Sequence, residues 1–305
     1  MKSIIALCLF LWTAQAYEYN LAPVKVSKDV HCFFGALENI TKENGGNMVN
    51  TCFVQTKQGF VVIDSGPTYA YASQAYTQMQ KIAKLPVKYV INTHDHDDHW
   101  LGNSFYKSKG ALLIGPRTYE QNVVVGMETR MQRTLGSELY GKTKIVNLDT
   151  VVDNNLTLKF GGKVFEIQQL VEKAHTQGDL TVYLPDEKVI FAGDVVFNGR
   201  VTSLRDGSLM GSIKILEQIE ALQPKVIIGG HGYKTDANAT ESLKAYLLEM
   251  KEEVLHALDN DVSMEQITKK VSMTKYQKMK LYDVLHSRNV FEAYRELEMY
   301  DEDEE

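Results

Sequence analysis

Apolar positions in the first two thirds of this chain fall in short β-branched and aromatic runs, whereas in the last third they recur at helical spacing. The runs Val30 to Leu37, Met48 to Gln55 and Gly59 to Asp64 predict three successive strands, the last ended by Ser65-Gly66-Pro67. Thr68 to Lys84 carries Tyr71, Ala75, Tyr76, Met79 and Ile82 on one stripe, which predicts a helix stopped before Pro86. Val87 to Ile91 is a further strand. A short helix over Trp100 to Tyr106, closed by Gly110, a strand over Ala111 to Ile114 and a helix over Arg117 to Leu135 follow. Met127, Met131 and Leu135 lie at four-residue spacing on that helix, as a core stripe, a pocket wall or a substrate lid would.

The second half repeats the strand-rich pattern at Lys144 to Leu148, Leu156 to Phe160, Lys163 to Leu170, Leu180 to Leu184 and Val189 to Ala192. Asn-Asn, Gly-Gly and Pro-Asp turns separate several of them. Gly211 to Leu222 predicts a helix and Pro224 to Gly229 a strand. Beyond it the chain is helical over Asp236 to Leu258, Ser263 to Val271, Lys275 to Leu285 and Asn289 to Met299, before an acidic tail from Asp301 to Glu305.

One stretch needs a chemical explanation. Between His94 and His99 the sequence is His-Asp-His-Asp-Asp-His, three of the eight histidines of the chain within six positions, placed where the strand Val87 to Ile91 ends. Imidazole nitrogen and carboxylate oxygen are donors that zinc accepts. His94 and His96 are two apart and can point the same way from extended backbone, while Asp98 and His99 lie on the following turn. Two adjacent metal positions, roughly 3.5 to 4 Å apart as in other two-metal hydrolases, suit that spacing.

His-x-His-x-Asp-His after a strand resembles the metallo-β-lactamase-fold superfamily of hydrolases, and three later segments extend the resemblance in the same order. They are His175 in Ala174-His175-Thr176-Gln177-Gly178-Asp179, Asp194 in Gly193-Asp194 and His231 in Gly229-Gly230-His231-Gly232. The resemblance implies an α/β protein with the four-layer αβ/βα sandwich of that superfamily, spanning residues 17–235, with a C-terminal helical segment over 236–300. It implies that His94, His96 and His175 hold one metal ion, that Asp98, His99 and His231 hold a second, and that Asp194 bridges them. Asp64, at the end of its strand, resembles a supporting residue near the metal loop or a turn cap. His31, His256 and His286 lie away from every motif and are expected in the core or at the surface.

The ligand set is similar to that of glyoxalase II. Two zinc ions are the expected cofactors and Asp98 the expected catalytic residue, able to bind metal and orient the attacking water. Asp194 stands where antibiotic-degrading zinc lactamases have Cys or Ser, which turns the expectation toward an ester, thioester, lactone or lactam-type bond, with a true metallo-β-lactamase as the second alternative. The runner-up is an iron-dependent oxidoreductase similar to persulfide dioxygenases, using His94, His175 and Asp194. A metal-binding protein without activity fits less well, because the mixed set leaves a position open for substrate.

Composition adds a location. Lys2, the apolar run Ser3 to Trp12 and Ala14-Gln15-Ala16 form a secretory signal with cleavage after Ala16, too short for a stable membrane anchor. The mature chain would be periplasmic or secreted. Cleavage removes one lysine and no acid, taking the formal charge from -6 to -7. With no Lys/Arg run, this argues against nucleic acid and for a small-molecule substrate. Cys32 and Cys52 then remain, and the strands carrying them could pair antiparallel and bring them into a disulfide; two buried free thiols are the alternative. Asn155-Leu156-Thr157 and Asn238-Ala239-Thr240, each with an acid two before the Asn, and Asn39-Ile40-Thr41 without one, are candidate glycosylation sequons or simple turn and cap residues.

Overall fold

The computed structural model describes residues 17–300; the signal-like segment with its Ala16 cleavage site and the acidic tail lie outside the described residues. Twelve strands among the described residues form two sheets. The first runs β1 (Val24–Ser27), β2 (Val30–Phe33), β3 (Thr51–Gln55), β4 (Phe60–Ile63), β5 (Val87–Ile91), β6 (Leu112–Pro116), β7 (Thr150–Val152), in that spatial order. The second has the order β12 (Val226–His231), β11 (Val189–Phe197), β10 (Thr181–Leu184), β9 (Lys163–Gln168), β8 (Asn155–Phe160).

The sheets face each other across a shared apolar layer. Val54, Val61, Ile63, Ile91 and Ile114 of the first meet Phe165, Ile167, Val182, Phe191 and Ile228 of the second. Alternate residues of the first sheet, Phe53, Phe60, Val62, Val90 and Leu113, point the other way onto helices α1 (Tyr69–Ile82) and α3 (Asn103–Ser108). On the far side, Ile190, Val196 and Ile227 pack under α6 (Leu209–Ala221), α7 (Glu241–Asp259) and α9 (Tyr282–Leu297). Helix, sheet, sheet and helix therefore make the four layers expected. Because both faces of β3, β4 and β11 are covered, these strands are apolar in nearly continuous runs instead of alternating. The three helices after β12, α8 (Met264–Lys270) included, share one hydrophobic cluster with α6 and so complete the outer layer of the second sheet.

Local differences from the sequence expectation have physical causes. The single helix expected over Arg117 to Leu135 is broken: α4 (Arg117–Asn122) ends at the extended Val123, the chain turns at Gly126, whose φ is 90°, and α5 (Arg130–Tyr140) is itself kinked at Gly136. Met131 and Leu135 are buried against Trp100, Leu101 and Tyr119, so the methionine stripe is core packing and not a free lid. No strand forms over 144–148; Ile145 packs against the Trp100 cluster, and the chain pairs with β6 only from Thr150. The helix expected over Lys275 to Leu285 forms only from Tyr282, after a 3-10 turn at Thr274–Tyr276 and a bridge from Lys280 to Arg200, and it runs on as α9 through His286, which bonds Tyr246 and the Val271 carbonyl, and Asn289, which bonds the Thr202 carbonyl. Strand β1, half exposed at the sheet edge, carried too little apolar pattern to be seen.

Cys32 and Cys52 stand directly opposite each other on the antiparallel pair β2 and β3, are buried, and form a disulfide. The bridge closes a 20-residue separation, for which loop entropy gives about 3 kcal/mol. Replacing both cysteines by Ala should lower the free energy of unfolding by about 2–4 kcal/mol in denaturant titrations of the oxidised protein; an unchanged midpoint and slope would show that the bridge contributes nothing.

Candidate metal centre

The seven residues expected to bind metal converge at one site, delivered by strands of both sheets and the segments that adjoin them. The first sheet supplies four. After β5 the chain bends at His94 and Asp95, is extended at His96 and then enters the one-turn helix α2 (Asp97–Trp100), which carries Asp98 and His99. The second sheet supplies His175 from the loop before β10, Asp194 from within β11 and His231 at the end of β12. His94, His96, His175 and Asp194 form one group of donors and Asp98, His99 and His231 another, the donor atoms in each lying within 4.8 Å of one another. His31 stacks on Phe53, His286 sits between Tyr246 and Val271, and His256 lies on α7; none enters either group.

Separations within the cluster fit metal coordination. A tetrahedral ion with bonds of about 2.1 Å sets its donors about 3.4 Å apart. The Asp194 Oδ2 atom is 3.4 Å from His175 Nε2, 3.8 Å from His94 Nε2 and 3.2 Å from His231 Nε2, while Oδ1 is 3.1 Å from His99 Nε2. One carboxylate thus faces both groups. Asp98 Oδ2 lies 3.6 Å from His231 Nε2 and 3.7 Å from His99 Nε2. His94 Nε2, His99 Nε2 and Asp194 Oδ1 are fully buried yet make no well-formed hydrogen bond. Buried polar atoms rarely go unsatisfied, and a cation among them would satisfy all three.

The residues behind the donors orient them. Asp64 accepts from the Thr93 backbone N–H and hydroxyl, each at 2.9 Å, and its Oδ2 lies 2.8 Å from His99 Nδ1. That contact puts a proton on Nδ1 and turns the Nε2 lone pair toward the cluster. His231 is turned the same way by a short hydrogen bond from its Nδ1 to the Met48 carbonyl. Asp179 accepts from the Thr176 backbone N–H and hydroxyl and so fixes the turn carrying His175; burial raises its pKa to about 7. Gly230 has no alternative residue: a Cβ there would stand 1.9 Å from Asp194 Oδ1.

Charge follows from this crowding. Burial disfavours the charged form of His99, but Asp194, Asp64 and Asp98 outweigh it and hold its pKa well above the ordinary range. His94, lacking so many acids, is driven well below by burial and by the charge of His99. Burial would raise the Asp98 carboxyl, yet Arg130 with His99 and His231 brings it below the usual carboxylate range.

Several functional neighbours carry no sequence motif. Arg130, at the start of α5, donates to Asp97 and Asp98 at 2.8 Å, and Asp97 also accepts from the Met131 N–H, tying α5 to the metal loop. Asp206 lies 3.2 Å from His96 Nε2, leaving Nδ1 to face His175. Asn50 bonds the Gly229 and Gly232 carbonyls and so holds the His231 loop from the opposite sheet. No periodicity or spacing marks these positions.

Comparison with known proteins decides the family. A family model described as "Metallo-beta-lactamase superfamily" matches residues 44–231, a span that holds all seven donors. The chain belongs to the metallo-β-lactamase superfamily. Among curated members, a hydroxyacylglutathione hydrolase of Brucella anthropi is 29% identical over 157 residues, covering 51% of this chain and 51% of that protein. The corresponding protein of Brucella ovis is 30% identical over 157 residues with the same coverage. The chain thus spans about half the length of the curated relatives it matches. A metallo-β-lactamase from Pontibacter korlensis aligns with a TM-score of 0.60 at 21% identity, over 75% of this chain and 99% of that one. A sec-alkylsulfatase from a Pseudomonas species aligns with a TM-score of 0.66 at 17% identity, over 93% of this chain and 51% of that one. These last two likenesses concern the superfamily fold alone.

Removing the Asp64 carboxylate should cost about 10–100-fold in metal affinity, since it orients His99 and the Thr93 turn. Competition of Asp64→Ala against a chromogenic chelator measures this; an affinity equal to wild type would show that Asp64 only caps its turn.

Proposed function

We propose that this chain is an exported dinuclear zinc hydrolase that cleaves an ester, thioester or lactone of a small molecule. In this reading His94, His96 and His175 bind one ion, Asp98, His99 and His231 bind the other, and Asp194 bridges them. The observation that carries it is the position of the Asp194 carboxylate, within 3.8 Å of histidine nitrogens from both donor groups. Nitrogen and oxygen donors without thiolate suit zinc. When bound, two such ions lower the pKa of water toward neutrality and polarise the bond to be broken.

The chain's own groups do the rest. Asp98, kept ionised by Arg130, presents Oδ2 to the donor cluster and can hold the attacking water by a hydrogen bond and take its proton. A cavity of about 370 Å³ opens beside it, lined by His96, His175, Phe197 and His231 on the metal side and by Leu281 and Val284 of the α9 end on the other. It is large enough for a small molecule and not for a duplex. The curated relatives' name, hydroxyacylglutathione hydrolase, supports a thioester among the candidates.

Export is supported by the sequence pattern up to Ala16 and by the Cys32–Cys52 bridge, which belongs to an oxidising compartment. No helix among the described residues is long and apolar enough to cross a membrane.

The test is a panel of thioester, lactone, ester and β-lactam substrates with the mature protein, before and after chelation and zinc return. Turnover of a thioester or lactone should vanish on chelation, return with zinc, and fall at least about 1,000-fold in Asp98→Asn and His96→Ala. Near-normal turnover in either metal-replete variant would refute the mechanism. Iron in the purified protein with dioxygen uptake would replace hydrolysis by the oxidoreductase reading.

A further inference from the structure

Three Asn-x-Thr triplets stand among residues 17–300, at Asn39, Asn155 and Asn238, and the fold treats them differently. Only Asn155 and Asn238 have an acid two positions earlier, Asp153 and Asp236. Such a triplet is read as a glycan acceptor through its asparagine amide and its threonine hydroxyl, so both groups must be reachable from solvent. In the first triplet Thr41 lends its hydroxyl oxygen to the Asn44 N–H inside a closed turn, and Ile40 is buried. At Asn238 the asparagine is exposed, but Thr240 is 1% exposed, its hydroxyl donating to Glu220 at 2.8 Å, and Ala239 between them lies in the core. Reading that triplet means pulling the chain away from the start of α7.

Asn155 is placed the opposite way. It opens β8, which pairs with β9 alone among the described residues and so is the free edge of the second sheet. Along β8 the half-buried Leu156, Leu158 and Phe160 pack on the inter-sheet layer, while Asn155, Thr157 and Lys159 alternate with them on the exposed face. The asparagine and threonine of the triplet, two apart, therefore stand side by side toward solvent. Neither the Asn155 amide nor the Thr157 hydroxyl makes a side-chain hydrogen bond among the described residues. The turn before β8 is held instead by Asn154, whose carbonyl accepts from the Gln169 N–H at 2.7 Å. Asp153, in that turn, is 65% exposed, and its carboxylate is held only by Arg117, itself 44% exposed. An ion pair so exposed contributes little and opens easily. Edge strands are kept from pairing with other chains by charge, as Lys159 supplies here, and neither Asn155 nor Thr157 adds to that.

We propose that Asn155 is an N-glycan acceptor of the folded, exported protein, presented by the edge strand β8 and read together with Thr157 and Asp153. In the transfer, Asn155 Nδ2 forms a bond to the anomeric carbon of a saccharide carried on a lipid diphosphate. The bond from that carbon to the diphosphate oxygen breaks, its electron pair leaves with the lipid diphosphate, and the amide gives up one proton to the transferase. The attached saccharide then shields the free edge of the second sheet. This rests on the export reading above and not on the bond hydrolysed.

The experiment presents the mature protein, folded and with its disulfide intact, to a purified oligosaccharyltransferase that requires an acid two before the Asn, with its lipid-diphosphate saccharide. Tryptic mass mapping follows two peptides, Ile145 to Lys159 and Thr235 to Lys244. In the folded protein the first should gain one saccharide and the second none. Both should be modified as free synthetic peptides, because both carry the acid. Folded protein modified at Asn238 and not at Asn155, or at neither while the free peptides are modified, would overturn the proposal. A free peptide from Ile145 to Lys159 that stays unmodified would do the same.

Substitutions separate the three groups. Asn155→Gln and Thr157→Ala should abolish transfer to the folded protein, and Asp153→Ala should slow it at least about tenfold, as loss of a hydrogen bond to a charged group does. An undiminished rate in Asp153→Ala would contradict the reading of the acid. Protein purified from its own cells should carry the saccharide on the peptide ending at Lys159 and should lack residues 1–16. An unmodified Asn155 in protein that lacks them would sink the proposal. Retention of residues 1–16 would instead refute export, while transfer to the folded protein still decides the acceptor.

Discussion

A single carboxylate holds the account together. Asp194 lies between histidines delivered by two different sheets, its Oδ1 against His99 and its Oδ2 against His94, His175 and His231. Such an arrangement exists only if the sheets keep a fixed separation, which the apolar layer of Ile63, Ile91, Phe191 and Ile228 sets. Close-packed interiors do not deform continuously, so sub-ångström placement of donors follows from core packing tens of residues away. Polar ties across the gap finish the alignment: Leu180 N–H to the Thr93 carbonyl, Asn50 N–H to the Gly230 carbonyl, and the Asn50 amide to the Gly229 and Gly232 carbonyls.

Much of this was legible in the sequence because metal chemistry restricts residue types so strongly. The donors at 94, 96, 98 and 99 follow a strand that a β-branched run marks, those at 175, 194 and 231 lie in the segments that carry the resemblance, and the structure brings all seven together. The four layers were implied by the resemblance that the ligand motifs carry, while apolar runs and helical stripes marked the elements that fill them. What could not be read was everything set by three-dimensional return of the chain. Arg130 and Asp206 reach the metal ligands from a helix start and a loop with no periodicity. The break of the chain after α4 at Val123 and the late start of α9 at Tyr282 likewise left no mark in the apolar periodicity.

The division of labour within the fold is equally physical. The first sheet carries its ligands on one contiguous loop, so their mutual geometry is local and is braced by Asp64 and Thr93. The second sheet contributes single residues from three separate segments, which only the packing beneath α6, α7 and α9 aligns. The start of α9 then supplies one wall of the cavity, so the C-terminal helices serve both the core and the ligand pocket.

The most direct measurement is anomalous diffraction at the zinc edge from crystals of zinc-loaded mature protein. Two peaks about 3.5–4 Å apart are expected, one against His94, His96 and His175 and one against Asp98, His99 and His231, with Asp194 between them. A single peak, or none in protein that remains folded and zinc-saturated by titration, would contradict the account.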